Sequence, residues 1–194
     1  TTSGVGVIPE GHTIGGEYAR DGDRILLSGR MGDHGIAVLA ARGELGLETA
    51  IQSDVAPLNH LIHQVLLAAP HTHVLRDPTR GGLATSLKEI ALQSQVSIWL
   101  DESVIPIHPA VRSACEMLGF DPLYVANEGK VIVIVPPQEA DAALNTMRSH
   151  PLGAKATRIG SVMSPQPGRV LLRTLVGGTR ILDMLAGEML PRIC

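Results

Sequence analysis

Val131-Ile132-Val133-Ile134-Val135 is five consecutive β-branched residues with no polar interruption. Side chains of a strand alternate between two faces, so an unbroken apolar run describes a strand buried on both faces. That one strand predicts a sheet with helices on each side rather than a sheet with one wet face. Working outward, residues 123–126 and 130–135 flank Asn127-Glu128-Gly129, a pattern that predicts a hairpin. Downstream, a helix is expected over 138–149 and a strand over 156–163. A final hairpin is expected from 168–175 and 179–182 around Gly177-Gly178.

Upstream, residues 5–8 read as a short strand stopped by Pro9, and 23–28 as a second strand after the turn Asp21-Gly22. Gly29-Arg30-Met31-Gly32-Asp33-His34-Gly35 is a glycine-rich turn entering a helix over 36–42, closed by Gly43. A polar loop follows over 44–56. A helix over 57–69 has Pro70 just beyond it, and 74–76 is a short strand. Asp77-Pro78-Thr79-Arg80-Gly81-Gly82 turns into a helix over 83–93. A strand over 96–100 and a helix over 108–118, ended by Gly119, complete the set. Strands and helices interleave without strict alternation, and hairpins sit beside crossovers. The fold class is therefore α+β, a mixed β-sheet flanked by helices. No repeat, low-complexity tract or long linker divides the chain.

Composition narrows the function. Hydrophobic residues make up 44% of the chain but aromatic ones only 2%, so the core must be aliphatic. Net charge is −3 with no long basic run, unlike a dedicated nucleic-acid binder with its basic stripe and stacking aromatics. No apolar run is long enough to span a bilayer, and no signal peptide is visible. The two cysteines, Cys115 and Cys194, make no disulfide framework, which suits the cytoplasm. Cys115 sits in an amphipathic helical pattern and reads as a small buried hydrophobe. The opening Thr1-Thr2-Ser3-Gly4-Val5-Gly6-Val7 lacks an initiator Met, so the chain is expected to be a piece of a longer protein.

Four places carry possible chemistry. Cys194 is the last residue, and a thiol there either carries a group as a nucleophile or is a chance ending. Arg192 would lower its pKa and the terminal carboxylate would raise it. The turn at 29–35 has neither dinucleotide nor P-loop spacing; it is an anion-binding helix start or a tight packing turn. In Asp77 to Gly82, Arg80 offers a fork of donors for phosphate, and Gly81 and Gly82 permit close backbone approach. Asp77 and Thr79 are explained equally well as helix caps. Glu128 is a turn carboxylate, an ordinary weak base unless a partner domain covers it. His60, His63, His71 and His73 lack a matching third ligand, so no metal site is expected.

Taken together, Ser28 to Gly35, Arg76 to Ala84, Ala126-Asn127-Glu128-Gly129 and Pro191-Arg192-Ile193-Cys194 resemble, in order, the hydrogenase maturation factor HypE family. The D-x-T-x-G-G and N-E-G pieces are shared with aminoimidazole ribonucleotide synthetase and selenophosphate synthetase; the Pro-Arg-Ile-Cys ending distinguishes HypE. The resemblance implies a layered α/β domain like the C-terminal domain of PurM. It implies 1–22 as connector and first strand, 23–185 as that domain, and 186–194 as a mobile tail carrying the acceptor cysteine. It implies the C-terminal part of an ATP-dependent carbamoyl dehydratase that converts an S-carbamoylated Cys194 to a thiocyanate, the source of the cyanide ligands of [NiFe] hydrogenase. Glu128 matches the family's base, supported by Asn127 and Arg192, with Asp77, Thr79, Arg80, Gly81 and Gly82 near the phosphates. Implied companions are ATP with Mg2+, held mainly by an N-terminal ATP-binding domain absent here, a HypF-like carbamoyltransferase, and a HypC–HypD complex that receives the cyano group on iron. A homodimer at full length is implied, with this fragment alone inactive and holding no cofactor firmly. Other readings of the same motifs are a non-catalytic docking module of the maturation complex, or a purine- or selenophosphate-pathway relative.

Overall fold

The computed structural model describes residues 5–8, 10–43 and 50–185. In chain order, the strands and α-helices are β1 (Arg24–Leu27), α1 (Asp33–Arg42), α2 (Asn59–Ala68), β2 (Val74–Arg76), α3 (Gly82–Gln93), β3 (Ser97–Asp101), α4 (Pro109–Leu118), β4 (Ile132–Val135), α5 (Ala140–Ser149), β5 (Thr157–Met163), β6 (Val170–Arg173) and β7 (Thr179–Leu182). The strands make one sheet in the order β2-β4-β1-β5-β3-β6-β7. Neighbours run antiparallel except β3 and β6, which are parallel. The sheet is mixed and the fold is α+β.

The apolar run at 131–135 is buried at every position, and β4 lies between β2 and β1. Its alternation divides the core. Ile132 and Ile134 join Ile25 and Leu27 of β1 on the face covered by Leu83, Leu87 and Ile90 of α3. Val131, Val133 and Val135 join Leu26 on the other face, against Leu61 and Val65 of α2 and Ala143 and Met147 of α5. Burying each such side chain contributes about 1.5–3 kcal/mol. A third cluster, at one end, packs Ile36 and Leu39 of α1 against Val111, Ala114 and Cys115 of α4 and against Val125. The β1–β5 ladder slips between Ile25, opposite Gly160, and Leu26, opposite Arg158. The extra residue, Ile159, marks a bulge.

Gly43 and Gly119 end α1 and α4 in the left-handed conformation, as their positions in the sequence predict. Two expectations fail. Residues 123–126 do not pair with 130–135 as a hairpin: Pro122–Tyr124 is a 3-10 turn capped by the Asp121 carboxylate. Both edges of β4 are already taken, by β1 and β2, so its sequence neighbour has no edge to join. Residues 5–8 form no strand; Val5 and Val7 lie almost fully exposed, with nothing to bury their alternation.

Candidate functional site

Three of the segments singled out by sequence meet at one buried side chain. Asn127 is fully buried. Its Oδ1 accepts from the Gly32 N–H at 2.7 Å. Its Nδ2 donates to the carbonyls of Pro78 at 3.0 Å and Val125 at 2.9 Å, and its own N–H donates to Pro78 at 3.2 Å. One amide thus ties the glycine-rich turn at 29–35, the turn at 77–82 and the strand approach at 125–129 into a single corner. Asparagine suits the position because it offers an acceptor and two donors on one plane. The glycines permit the approach. Gly32 has φ 87°, and a Cβ on Gly35 would strike Val125 Cγ1. The Gly35 N–H donates to the Ala126 carbonyl at 3.1 Å.

Glu128 sits next to this staple with its side chain exposed. Its backbone N–H donates to Asp54 Oδ1 at 3.1 Å. Asp54 Oδ2 pairs with Lys130 Nζ at 3.0 Å, both side chains largely buried. Lys130 lies along Gly29, where a Cβ would meet its Cε at 2.9 Å. A Cβ on Gly129 would collide with the Asp54 backbone carbonyl. The carboxylate of Glu128 is thereby carried on a backbone clamped from both sides, facing outward. Asp54 and Lys130 have no local signature of a site; only the fold brings residues 54 and 128 together.

In the turn at 77–82 the residues divide by direction. Asp77 and Arg80 are exposed and Thr79 partly so; the Thr79 hydroxyl donates to Asp77 Oδ2 at 3.2 Å. Neither Asp77 nor Thr79 caps α3: the N-cap position is Gly81, and no side chain caps the helix there. Gly82 faces inward: with φ 63°, a Cβ there would lie 2.6 Å from the Leu123 carbonyl and 2.7 Å from that of Val125. Gly81, at φ 71°, is crowded by Thr85. The paired glycines therefore serve close packing on 123–125, while Asp77, Thr79 and Arg80 form the outward edge. Cys194 and Arg192, with the whole segment 186–194, lie outside the described residues.

A cleft of about 390 Å³ opens between the starts of α1 and α4, lined by Arg30, Asp33, Ala50, Ile51, Gln52, His108 and Ala110. Asp33 Oδ1 is buried without a hydrogen-bond partner among the described residues. Burial raises its pKa above the ordinary carboxylate value, Lys130 opposes that, Asp54 adds to it, and Arg30 and His108 oppose it. His108 Nδ1 accepts the Ala110 N–H at 3.2 Å and caps α4. Sequence reading takes in Asp33 only as part of the turn at 29–35 and passes over His108, because their two helices come from distant parts of the chain.

Of the histidines weighed as metal ligands, His73 Nδ1 meets Asp23 at 2.8 Å and His71 pairs with Glu139. Among the described residues no cluster of three or more His, Cys, Asp or Glu is arranged to hold a metal ion, and no helix is long and apolar enough to cross a membrane. Cys115 is buried, and burial pushes its thiol pKa up to about 11.

The family model for AIR synthase related protein, C-terminal domain, matches residues 20–172. Over 194 residues the chain is 56% identical to the carbamoyl dehydratase HypE of Cupriavidus necator, covering all of this chain and 55% of that protein. The crystal structure of hydrogenase maturation protein HypE in complex with ATP superposes with a TM-score of 0.87 at 49% identity, over 93% of this chain and 55% of that one. A HypE–HypF complex superposes with a TM-score of 0.84 at 45% identity, over 89% of this chain and 56% of that one. The chain spans about half the length of the relatives it matches.

Proposed function

From the premise that the chain belongs to the AIR synthase related C-terminal domain family, we propose that it is the C-terminal part of a HypE-type carbamoyl dehydratase acting in hydrogenase maturation. In this reading residues 1–22 connect to an N-terminal ATP-binding half, 23–185 form the domain, and 186–194 carry the acceptor thiol. The full-length protein works in the cytoplasm as a homodimer. It receives its carbamoyl group from a HypF-like transferase and hands a cyano group to iron on a HypC–HypD complex.

Each residue has a part. The Cys194 thiolate, a soft nucleophile, holds the carbamoyl group as a thiocarboxamide, with Arg192 nearby to favour the anion. ATP, with Mg2+, supplies the phosphoryl group that makes the carboxamide oxygen a leaving group. The outward edge of the turn at 77–82 offers one guanidinium, one hydroxyl and one carboxylate, a fitting second wall for a magnesium nucleotide but not a whole site. Glu128 accepts the protons that must leave nitrogen for C≡N to form. Asn127 and Asp54 fix where that carboxylate stands. An exposed carboxylate is a weak base, so the N-terminal half must close over Glu128 for the step to run.

The observation that carries this reading is Glu128, held outward on a backbone clamped by Asn127 and Asp54. In the full-length protein, Cys194→Ala should keep the fold by circular dichroism and abolish carbamoyl loading by the transferase. Cyano-group formation by that variant would overturn the proposal.

A further inference from the structure

Residues 51–58 have no helix or strand of their own. Such a strap takes its place from side-chain ties, and two hold it beside Glu128. The Ser53 hydroxyl meets Nδ1 of His34, a buried residue of α1, at 2.8 Å. The Asp54 carboxylate divides its oxygens: Oδ1 accepts the Glu128 N–H at 3.1 Å, and Oδ2 pairs with Lys130 Nζ at 3.0 Å. The same ammonium donates to the Gly129 carbonyl at 3.3 Å. Lys130 thus holds the backbone on either side of the Glu128 Cα, through Asp54 before it and directly after it.

This ion pair is largely out of water. The Lys130 side chain is 12% exposed and that of Asp54 4%. Mutual attraction offsets the lost hydration of such a pair only when the geometry is good, and an apolar pair of similar size would stabilise a fold at least as well. What the charges supply here is direction: a carboxylate fixed by a cation on one oxygen presents the other at a set place. The Lys130 stem is set in turn by Gly29, where a Cβ would lie 2.9 Å from its Cε. Gly129 lies flat on the strap, since a Cβ there would collide with the Asp54 carbonyl and come within 2.9 Å of the Ala56 nitrogen. With its head turned to Asp54 and Gly129, Lys130 acts on Glu128 and not on a substrate.

We propose that Lys130 is a positioning residue for dehydration: its ion pair with Asp54 sets where the Glu128 carboxylate is rooted. The proposal rests on Glu128 as the base. Without the ammonium, Asp54 keeps a buried, unpaired charge; the strap moves toward water and the Glu128 N–H loses its acceptor. A misplacement of about 1 Å can cost about 100-fold in rate.

The test uses the full-length protein, loaded with carbamoyl on Cys194 by the transferase, with thiocyanate formation followed by intact mass at saturating ATP. Lys130→Met keeps the stem and removes the charge. Asp54→Asn keeps an acceptor for the Glu128 N–H and removes the ion pair. Each should slow thiocyanate formation about 10- to 100-fold, with carbamoyl loading and the KM for ATP unchanged. The double variant should be slowed by less than the product of the two single effects, because both remove the same pair. Unchanged dehydration in either single variant would overturn the proposal, as would effects that multiply. Equal losses of loading and dehydration in both would overturn it too, since they mark a general loss of fold. Should Lys130→Met fail to fold, Asp54→Asn decides by the same split between loading and dehydration. Glu128→Gln is the reference. If it dehydrates normally, the base and its positioning fall together; if it is blocked while Lys130→Met and Asp54→Asn run normally, the positioning alone falls.

Discussion

At the scale of single residues, the corner depends most on a side chain that does no chemistry. Asn127 makes one acceptor and two donor bonds in a site with no water access. Asn127→Leu would leave the Gly32 N–H and the Val125 carbonyl unpaired and buried, at a cost of about 2–4 kcal/mol. Urea denaturation should show that loss; an unchanged midpoint would mean the staple is dispensable. Cys115 gives a second residue-scale prediction. Its folded pKa of about 11 lies above the unfolded value of 9.0. The folded state therefore retains the proton longer, and this group's contribution to stability is full below about pH 9 and lost as pH rises toward about 11. At neutral pH, iodoacetamide should label Cys194 and spare Cys115 until the chain is unfolded; early labelling of Cys115 would contradict its burial.

At the scale of elements, what was legible in the sequence is what is decided locally. The apolar run at 131–135 marks a doubly covered strand, and glycines in the left-handed conformation mark the ends of α1 and α4. The hairpin that the pattern at 123–135 predicts does not form, because β2 and β1, from distant parts of the chain, occupy both edges of β4. For the same reason Asn127 and Glu128 stand out in the sequence while Asp54 and His108 do not, since a long loop and a separate helix bring them in. The glycine pair at 81–82 shows how a motif can be right in position and different in physical role. Gly82 permits α3 to seat on the backbone of 123–125. Gly82→Ala combines a left-handed φ with a 2.6 Å collision against a fixed carbonyl, so a loss of at least about 2 kcal/mol is expected. Equal thermal stability of that variant would contradict the packing role.

At the scale of the whole molecule, the seven-stranded sheet and its helical layers act as a rigid platform. They present the exposed Glu128 carboxylate, the outward edge of the turn at 77–82 and a polar cleft. The chain spans about half the length of its relatives, so the proposed chemistry is tested on the full-length protein. The central claim is that Glu128 removes the nitrogen protons of a thiocarboxamide carried by Cys194. The most direct test is intact mass spectrometry of the full-length Glu128→Gln protein after incubation with ATP and the carbamoyl-loading partner. The account predicts a persistent carbamoyl adduct on Cys194 where the unsubstituted protein goes on to the thiocyanate. Thiocyanate on the Glu128→Gln protein, at the rate of the unsubstituted one, would contradict it.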